Sequence, residues 1–351
     1  MIRRYSGNPI IKPSDIKLFN DEFEVFGVFN PGAIKYQNKI ILLLRVALKG
    51  KDEKNWISVL VCDKSNNFKI KILRWRKTKS LKVYRKDPRF YIINGKRFLT
   101  SLSLFYYAES DDGFNFLLSD KPSLFPQNEN EIFGIEDPRI ISYDSKLFYI
   151  TYTAVSEHSF CTALVSTIDF KNYNNLGIIF PPENKDVVLF DRKINNKFFC
   201  LHRPNVSFLG KPSIWIAESE NFTHWGNNKL LLTPRNNKWE RNKIGAGPPP
   251  ILTNKGWLLI YHSSGDDEIY SLSAVLLDKD EPTKVIGRTE KPFMMPKYSY
   301  ETEGVVPNII FSNGWINSED DKLLIYYGAA DSYVAVAETS ISYLTSLCKQ
   351  V

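Results

Sequence analysis

Two short segments place charged side chains around a proline at the head of an apolar run: GIEDPRI at residues 134–140 and KDPRF at 86–90. Asp137-Pro138-Arg139 and Asp87-Pro88-Arg89 therefore repeat one order of residue types. Adjacent acids with an arginine could handle protons or bind a polar ligand. The same triplet can be architecture: the Asp caps a turn, the Pro sets φ, and the Arg pairs with a nearby acid. For Asp87 and Arg89 the architectural reading is the better one. Asp137 differs because Glu136 precedes it.

Such residues work only if strands present them together, and the chain is built of strands. Helical periodicity with caps is scarce. Runs such as KIILLLRVAL, KLFYITYTAV, GWLLIYHSS and DKLLIYYGAA alternate with turn signals such as YQNK, INGK, INNK, TNKG and SNGW. A recurring order of Pro-containing turn, strand, polar turn and further strands is anchored at Pro31, Pro88, Pro138, Pro204, Pro249 and Pro307. Their spacings of 57, 50, 66, 45 and 58 give six units with a period near 50. With about four strands per unit, this predicts an all-β fold, a β-propeller, formed by residues 1–351 as one catalytic domain. A two-sheet sandwich would leave the repeated Pro turns unexplained. If each Pro turn opens an innermost strand, the neighbouring polar residues converge at one mouth of the channel. That set is Asn30, Asp87, Arg89, Glu136, Asp137, Arg139, Arg203, Asn205 and Asn308, with Lys243 before GAGPPP. A pocket so charged needs a polar ligand.

The bulk numbers bound the rest. The 351 residues are 43% hydrophobic and 14% aromatic, enough for a core without staples. No apolar run of membrane-spanning length occurs. The start MIRRYSGNPIIKPS lacks an apolar signal core, so no membrane partner and a cytoplasmic location are expected. Cys62, Cys161, Cys200 and Cys348 form no CxxC pair, which argues against zinc and a disulfide framework. Much of the net charge of +7 falls in residues 72–89, with eight Lys or Arg against one Asp. A solvated strand face or hairpin is the better reading there, and no nucleic-acid partner is expected. His158 and His224 read as surface residues. His202 and His262 follow apolar strands, where a core role is the ordinary one.

The segments FNPGA, GIEDPRI, LHRPN, KIGAGPPPI, GWLLIYH and YYGAADSYVAVA, taken jointly and in order, resemble glycoside hydrolase family 130, which comprises β-mannoside phosphorylases and some β-mannosidases. The resemblance covers nearly the whole chain. It implies a five-bladed propeller, no metal and no organic cofactor, with inorganic phosphate as co-substrate of a phosphorylase. By position it implies Asp137 as the catalytic acid, its proton relayed through a mannosyl hydroxyl. Asn30, Arg45 and Asp331 would hold the mannose, and Arg203, Lys243 and His262, with Lys185, would bind phosphate. Glu136 and Arg139 would stand at the sugar beside Asp137.

The residue types suit that chemistry. Inverting cleavage needs one protonated carboxyl and a nucleophile on the opposite ring face, and phosphate in place of water needs fixed donors instead of a carboxylate base. Asp137 should then have a raised pKa, from Glu136 and burial. Two departures from the family pattern stand out. Tyr270-Ser271 replaces a usual Tyr-Arg pair, and the KDPR unit adds about one blade between Arg45 and Asp137. The primary expectation is an inverting β-mannoside phosphorylase releasing α-mannose 1-phosphate from a β-mannoside oligosaccharide. A β-mannosidase would need a base, for which Glu157, Glu301 and Glu303 are the candidates. A non-catalytic glycan-binding propeller is the third reading. A homo-oligomer is possible on any of them.

Overall fold

The structure is a computed structural model and describes residues 1–84, 87–144, 146–206, 208–318 and 320–351. Five sheets of four or more strands account for most of it. The first blade runs, inside to outside, Phe23–Tyr36, Lys39–Gly50, Leu102–Ser110 and Leu117–Leu124. The second is Ile135–Ser142, Phe148–Ser156, Ser159–Thr167 and Asn174–Phe180. The third is Asn184–Leu189, Phe198–Pro204, Ile214–Ser219 and Trp225–Leu232. The fourth is Lys243–Ala246, Gly256–Ser264, Tyr270–Leu277 and Val285–Thr289, extended outward by Cys348–Gln350. The fifth is Ile310–Asn317, Lys322–Ala329 and Tyr333–Ser340, completed by Arg3–Arg4 from the chain start.

Apolar packing closes these sheets into a ring. Both faces of a middle strand are buried, and successive side chains alternate between them. In Gly256–Ser264, Trp257, Leu259 and Tyr261 pack against the third blade while Leu258 and Ile260 pack against the fifth. One apolar cluster fills each junction: fifth to first, first to second, second to third, third to fourth, and fourth to fifth. Five junctions for five blades leave no gap in the ring. Each fully buried Leu or Ile contributes about 2 kcal/mol of transfer free energy. The outer strands differ: Trp225–Leu232 is mostly exposed and carries Asn227, Asn228 and Lys229, a composition that discourages edge pairing.

The sixth repeat unit is not a blade. Its second half, Leu102–Ser110 and Leu117–Leu124, supplies the outer strands of the first blade. Its first half belongs to an insertion between Lys39–Gly50 and Leu102–Ser110. The insertion holds a hairpin, Trp56–Asp63 with Lys69–Arg76, and a small sheet of Val83–Tyr84, Phe90–Ile93 and Lys96–Leu99. Its own core of Val59, Ile93 and Phe98 rests on Phe133, just ahead of the second blade. Of the basic stretch, Arg74 and Arg76 lie on the outer face of that hairpin, where they and the preceding Lys69 and Lys71 alternate with half-buried apolar residues. Arg74 pairs with Glu22 and Glu53. Arg85 and Lys86, from the same stretch, lie outside the described residues.

The prolines also need correcting. Only Pro31 and Pro138 lie within innermost strands; Pro204 ends a second strand, and Pro88 lies in the insertion. What the inner strands of the first three blades share is a bulge with a left-handed Asn or Asp. Asn30, Asp137 and Asp186 have φ of 48°, 55° and 56°, each at a register shift. Asn and Asp tolerate this region better than other side chains, and the bulge re-aims the side chain out of the ladder.

Candidate active site

A cavity of about 280 Å³ opens where the inner strands meet the insertion. Asn30, Arg45, Glu136, Asp137, Lys185 and Asp331 line it, with Asp87, Arg89 and Tyr270. Five of the ring's elements and the insertion thus bring together residues up to 301 positions apart, from Asn30 to Asp331.

Asp137 is held from two sides. Asn30 Nδ2 and Arg45 Nη1 each donate to its Oδ1 at 2.9 Å. Arg45 also donates from Nη2 to Glu136 Oε1 at 2.7 Å and from Nε to Ser103 Oγ at 3.0 Å. Its guanidinium lies 4.6 Å from the Phe29 ring centroid, so every edge is fixed. The sequence expectation of a raised Asp137 pKa fails. Burial pushes it up, but Arg45, Lys185, the Asn30 hydrogen bond and Arg139 outweigh burial and hold the carboxyl below its usual range. Glu136 does not decide the matter because Arg45 bridges the two acids. The raised carboxyl is Asp331, pushed up to about 6 by burial, with Asp137 and Glu136 adding to the effect against Arg45 and Arg89.

Arg139 does not line the cavity. It is buried beneath Asp137 and donates to the backbone oxygens of Asp137, Ala246 and Gly247 and to Asp186 Oδ1. Arg203 comes from the second strand of the third blade and donates from Nε to Asp186 Oδ2 at 2.6 Å. His262 Nε2 lies 3.4 Å from the same oxygen, and its ring stands 4.3 Å from that of Phe311 on the cavity wall. Burial, with Arg203, Arg139 and Lys243, pushes His262 down to about 3, so it is a neutral imidazole at neutral pH and no member of the cation set. Lys243 Nζ sits 4.6 Å from the ring centroid of Tyr270. Burial, Arg203 and Arg89 push it down to about 8. Lys185 Nζ stands 5.1 Å from the ring of Phe160, another wall residue.

Asp186 was missed by the sequence reading. NKDVVL carries it at the same bulge as Asn30 and Asp137, but without the following proline that drew attention to the other two. Glycines open the space around these groups. A Cβ on Gly245 would fall 2.4 Å from Asp186 Oδ2 and 2.5 Å from His262 Cε1, and one on Gly328 would fall 2.1 Å from Asn30 Oδ1.

The other histidines are peripheral. His202 is buried, stacked on Phe180 at 4.4 Å and bonded to Asn184, and His158 and His224 are exposed. Asn205 bonds Glu183, and Asn308 is exposed. Ser271, in place of the usual arginine, is fully buried and bonds Ser263. Arg89 of the insertion reaches the cavity instead, its Nη2 2.6 Å from Asp87 Oδ2. Among the described residues no cluster of three or more His, Cys, Asp or Glu could hold a metal ion. No helix there is long and apolar enough to cross a membrane.

A propeller whose cavity gathers fixed carboxyls, cations and aromatic walls suits a ligand rich in hydroxyls, as in a carbohydrate-active enzyme. The chain belongs to glycoside hydrolase family 130, whose model, described as β-1,4-mannooligosaccharide phosphorylase, matches residues 77–350. It is 39% identical over 345 residues to a β-1,2-mannobiose phosphorylase of Listeria innocua, spanning 97% of this chain and 96% of that one. It is 40% identical over 235 residues to a 1,2-β-oligomannan phosphorylase of Thermoanaerobacter sp., spanning 66% and 76%. The solved Listeria innocua enzyme in complex with β-1,2-mannobiose superimposes with a TM-score of 0.93 at 37% identity, covering 99% of this chain and 98% of that one.

Proposed function

We propose that the chain is an inverting β-mannoside phosphorylase acting on a β-1,2-linked mannoside, with Asp137 as general acid. The carrying observation is a set of cations that reaches out from Asp137: Lys185 lines its cavity, Arg203 and Lys243 gather round Asp186, which Arg139 joins to Asp137, and the candidate water-activating glutamates are elsewhere. Glu301 is fully buried and takes Arg4 Nε at 2.6 Å, Glu157 pairs with Lys96 at the surface, and Glu303 is not on the cavity wall. Similarity along nearly the full length to a β-1,2-mannobiose phosphorylase supports the linkage.

In this reading Asn30, Arg45, Glu136 and Asp331 hold the mannosyl unit, and Arg139 supports Asp137 from below. Phosphate oxygen attacks the anomeric carbon from the face opposite the aglycone, the glycosidic bond breaks, and a proton passes to the leaving oxygen. With hydrogen phosphate as nucleophile the proton count balances: the hydrogen it brings ends on the released alcohol, and α-mannose 1-phosphate leaves as the dianion. Asp137 relays that hydrogen. It begins ionised because cations surround it, and bound phosphate offsets those cations and raises its pKa at the moment of need.

The test is incubation with β-1,2- and β-1,4-mannobiose, with and without phosphate. Phosphate-dependent mannose 1-phosphate from the β-1,2 substrate is the expected result. Equal release of free mannose without phosphate would overturn the reading in favour of a mannosidase. Binding of either sugar without turnover would leave a glycan-binding propeller.

A further inference from the structure

The cations that would take phosphate share one anion already in place. Asp186 is buried, with its side chain 2% exposed, and touches donors from three directions: Arg203 Nε at 2.6 Å, Arg139 Nη2 at 3.2 Å and His262 Nε2 at 3.4 Å. These come from the third, second and fourth blades, so one carboxylate ties three inner walls together. It cannot swing aside. Its backbone sits in a left-handed bulge between ladder pairs, and the missing Cβ of Gly245 leaves the carboxylate just enough room.

The geometry points to Asp186 as the positioning residue of the phosphate subsite, orienting Arg203 by its Nε edge so that its terminal nitrogens meet the anion, and fixing the neutral His262 by its Nε2–H, which leaves Nδ1 as an acceptor for a hydroxyl of phosphate or sugar. Arg203 keeps its terminal nitrogens, of which Nη1 makes only a 3.5 Å contact with Asn205. His262 Nδ1 is buried and has no hydrogen-bond partner among the described residues. A guanidinium fixed by its Nε edge presents its terminal nitrogens in one plane, the arrangement suited to bidentate phosphate contact. Asp186 also offsets Arg139 and Arg203, which would otherwise be two like charges buried side by side. Burial opposes its ionisation, but Arg203 and Arg139 outweigh burial and hold its pKa well below the carboxylate range, as fits a group that stays ionised through turnover.

The inference rests on the phosphorylase reading. Its test compares the wild-type protein with Asp186→Asn, Asp186→Glu and Gly245→Ala, the last of which presses a methyl group on the carboxylate. Phosphorolysis of β-1,2-mannobiose would be measured at varied phosphate and varied sugar, alongside the thermal shift given by phosphate alone and by mannobiose alone. The expected result is a rise of tenfold or more in KM for phosphate with KM for mannobiose within about twofold. The phosphate-induced thermal shift should be lost and the mannobiose shift kept. A folded variant with unchanged phosphate KM and thermal shift overturns the inference. So does an equal loss of both substrates, which would mark a merely structural carboxylate. If Asp186→Asn does not fold, the other two variants decide on the same readouts. Failure of the phosphorylase reading looks different, because the wild-type protein itself would then show no phosphate dependence.

Discussion

Arg45 Nη1 stands 2.9 Å from Asp137 Oδ1 while Nη2 of the same guanidinium stands 2.7 Å from Glu136 Oε1. One arginine therefore bridges two consecutive carboxylates and keeps either from acting as the other's repulsive neighbour. The ionisation of Asp137 is set by cross-blade contacts and not by the residue before it.

Replacing Asp137 by Asn keeps the shape and the Glu136–Arg45 pair but removes the group that would carry the proton. The kcat for phosphorolysis should fall by roughly 10³-fold, in the range of general acid catalysis. Mannobiose binding should persist in calorimetry. A fully active Asp137→Asn protein would refute the assignment of the acid.

As a member of the proposed phosphate set, Lys243 should give phosphate binding a pH dependence. Its pKa lies at about 8, so it is charged below that value and neutral above it. Loss of a cation weakens anion binding, so KM for phosphate should rise as pH passes upward through about 8. In Lys243→Ala the KM should be high at all pH values and the step absent. Initial rates at varied phosphate between pH 6 and pH 9.5 would check this.

Arg89 from the insertion helps to push Lys243 down. Arg89→Ala should therefore move the KM step to higher pH. Its side chain is more than half exposed, so stability should change by less than about 0.5 kcal/mol. A thermal melt and the same pH series separate the two effects, and an unmoved step would show that Arg89 does not face the phosphate side of the cavity.

Asp331 carries a stability signature of opposite sign to an ordinary ion-paired acid. Its folded pKa of about 6 lies above the ordinary aspartate value of 3.8, so the folded state binds the extra proton and stability falls as pH rises between those values. Asp331→Asn should be more stable than the wild type above pH 6, by up to about 3 kcal/mol for a shift of this size. The difference should shrink toward zero below pH 4. Denaturant melts at pH 4 and pH 7.5 would test it, and the same variant should lose sugar affinity.

The strands, the ring and most of the cavity's polar residues were legible because β-branched and aromatic runs, turn signals and a period near 50 repeat along the chain. Asn30, Arg45, Glu136, Asp137, Lys185 and Asp331 do meet in one cavity. The blade count was not legible, since DPRFYIINGKRFL has the same turn-and-strand chemistry whether it starts a blade or folds as a hairpin on the rim. Asp186 was hidden for a related reason: the shared feature is a left-handed bulge, and proline accompanies it only at Asn30 and Asp137. The ionisation of Asp137 was out of reach because it depends on Arg45 and Lys185, whose distances in space no spacing in sequence encodes.

Arg3–Arg4 pairs with Ala337 and Glu338, and Ile10 and Ile11 draw on Val334, so the last sheet is finished by residues made long before it. On a ribosome those residues wait through more than 320 positions for their partner strand. The first blade, too, lacks its neighbour on one side until the fifth has been synthesised, since their shared cluster needs Tyr326, Val334 and Val336. Nascent chains arrested before residue 333 should therefore be protease-sensitive around the first blade, and the two ends of the cavity wall, Asn30 and Asp331, come together only when the circle is sewn shut.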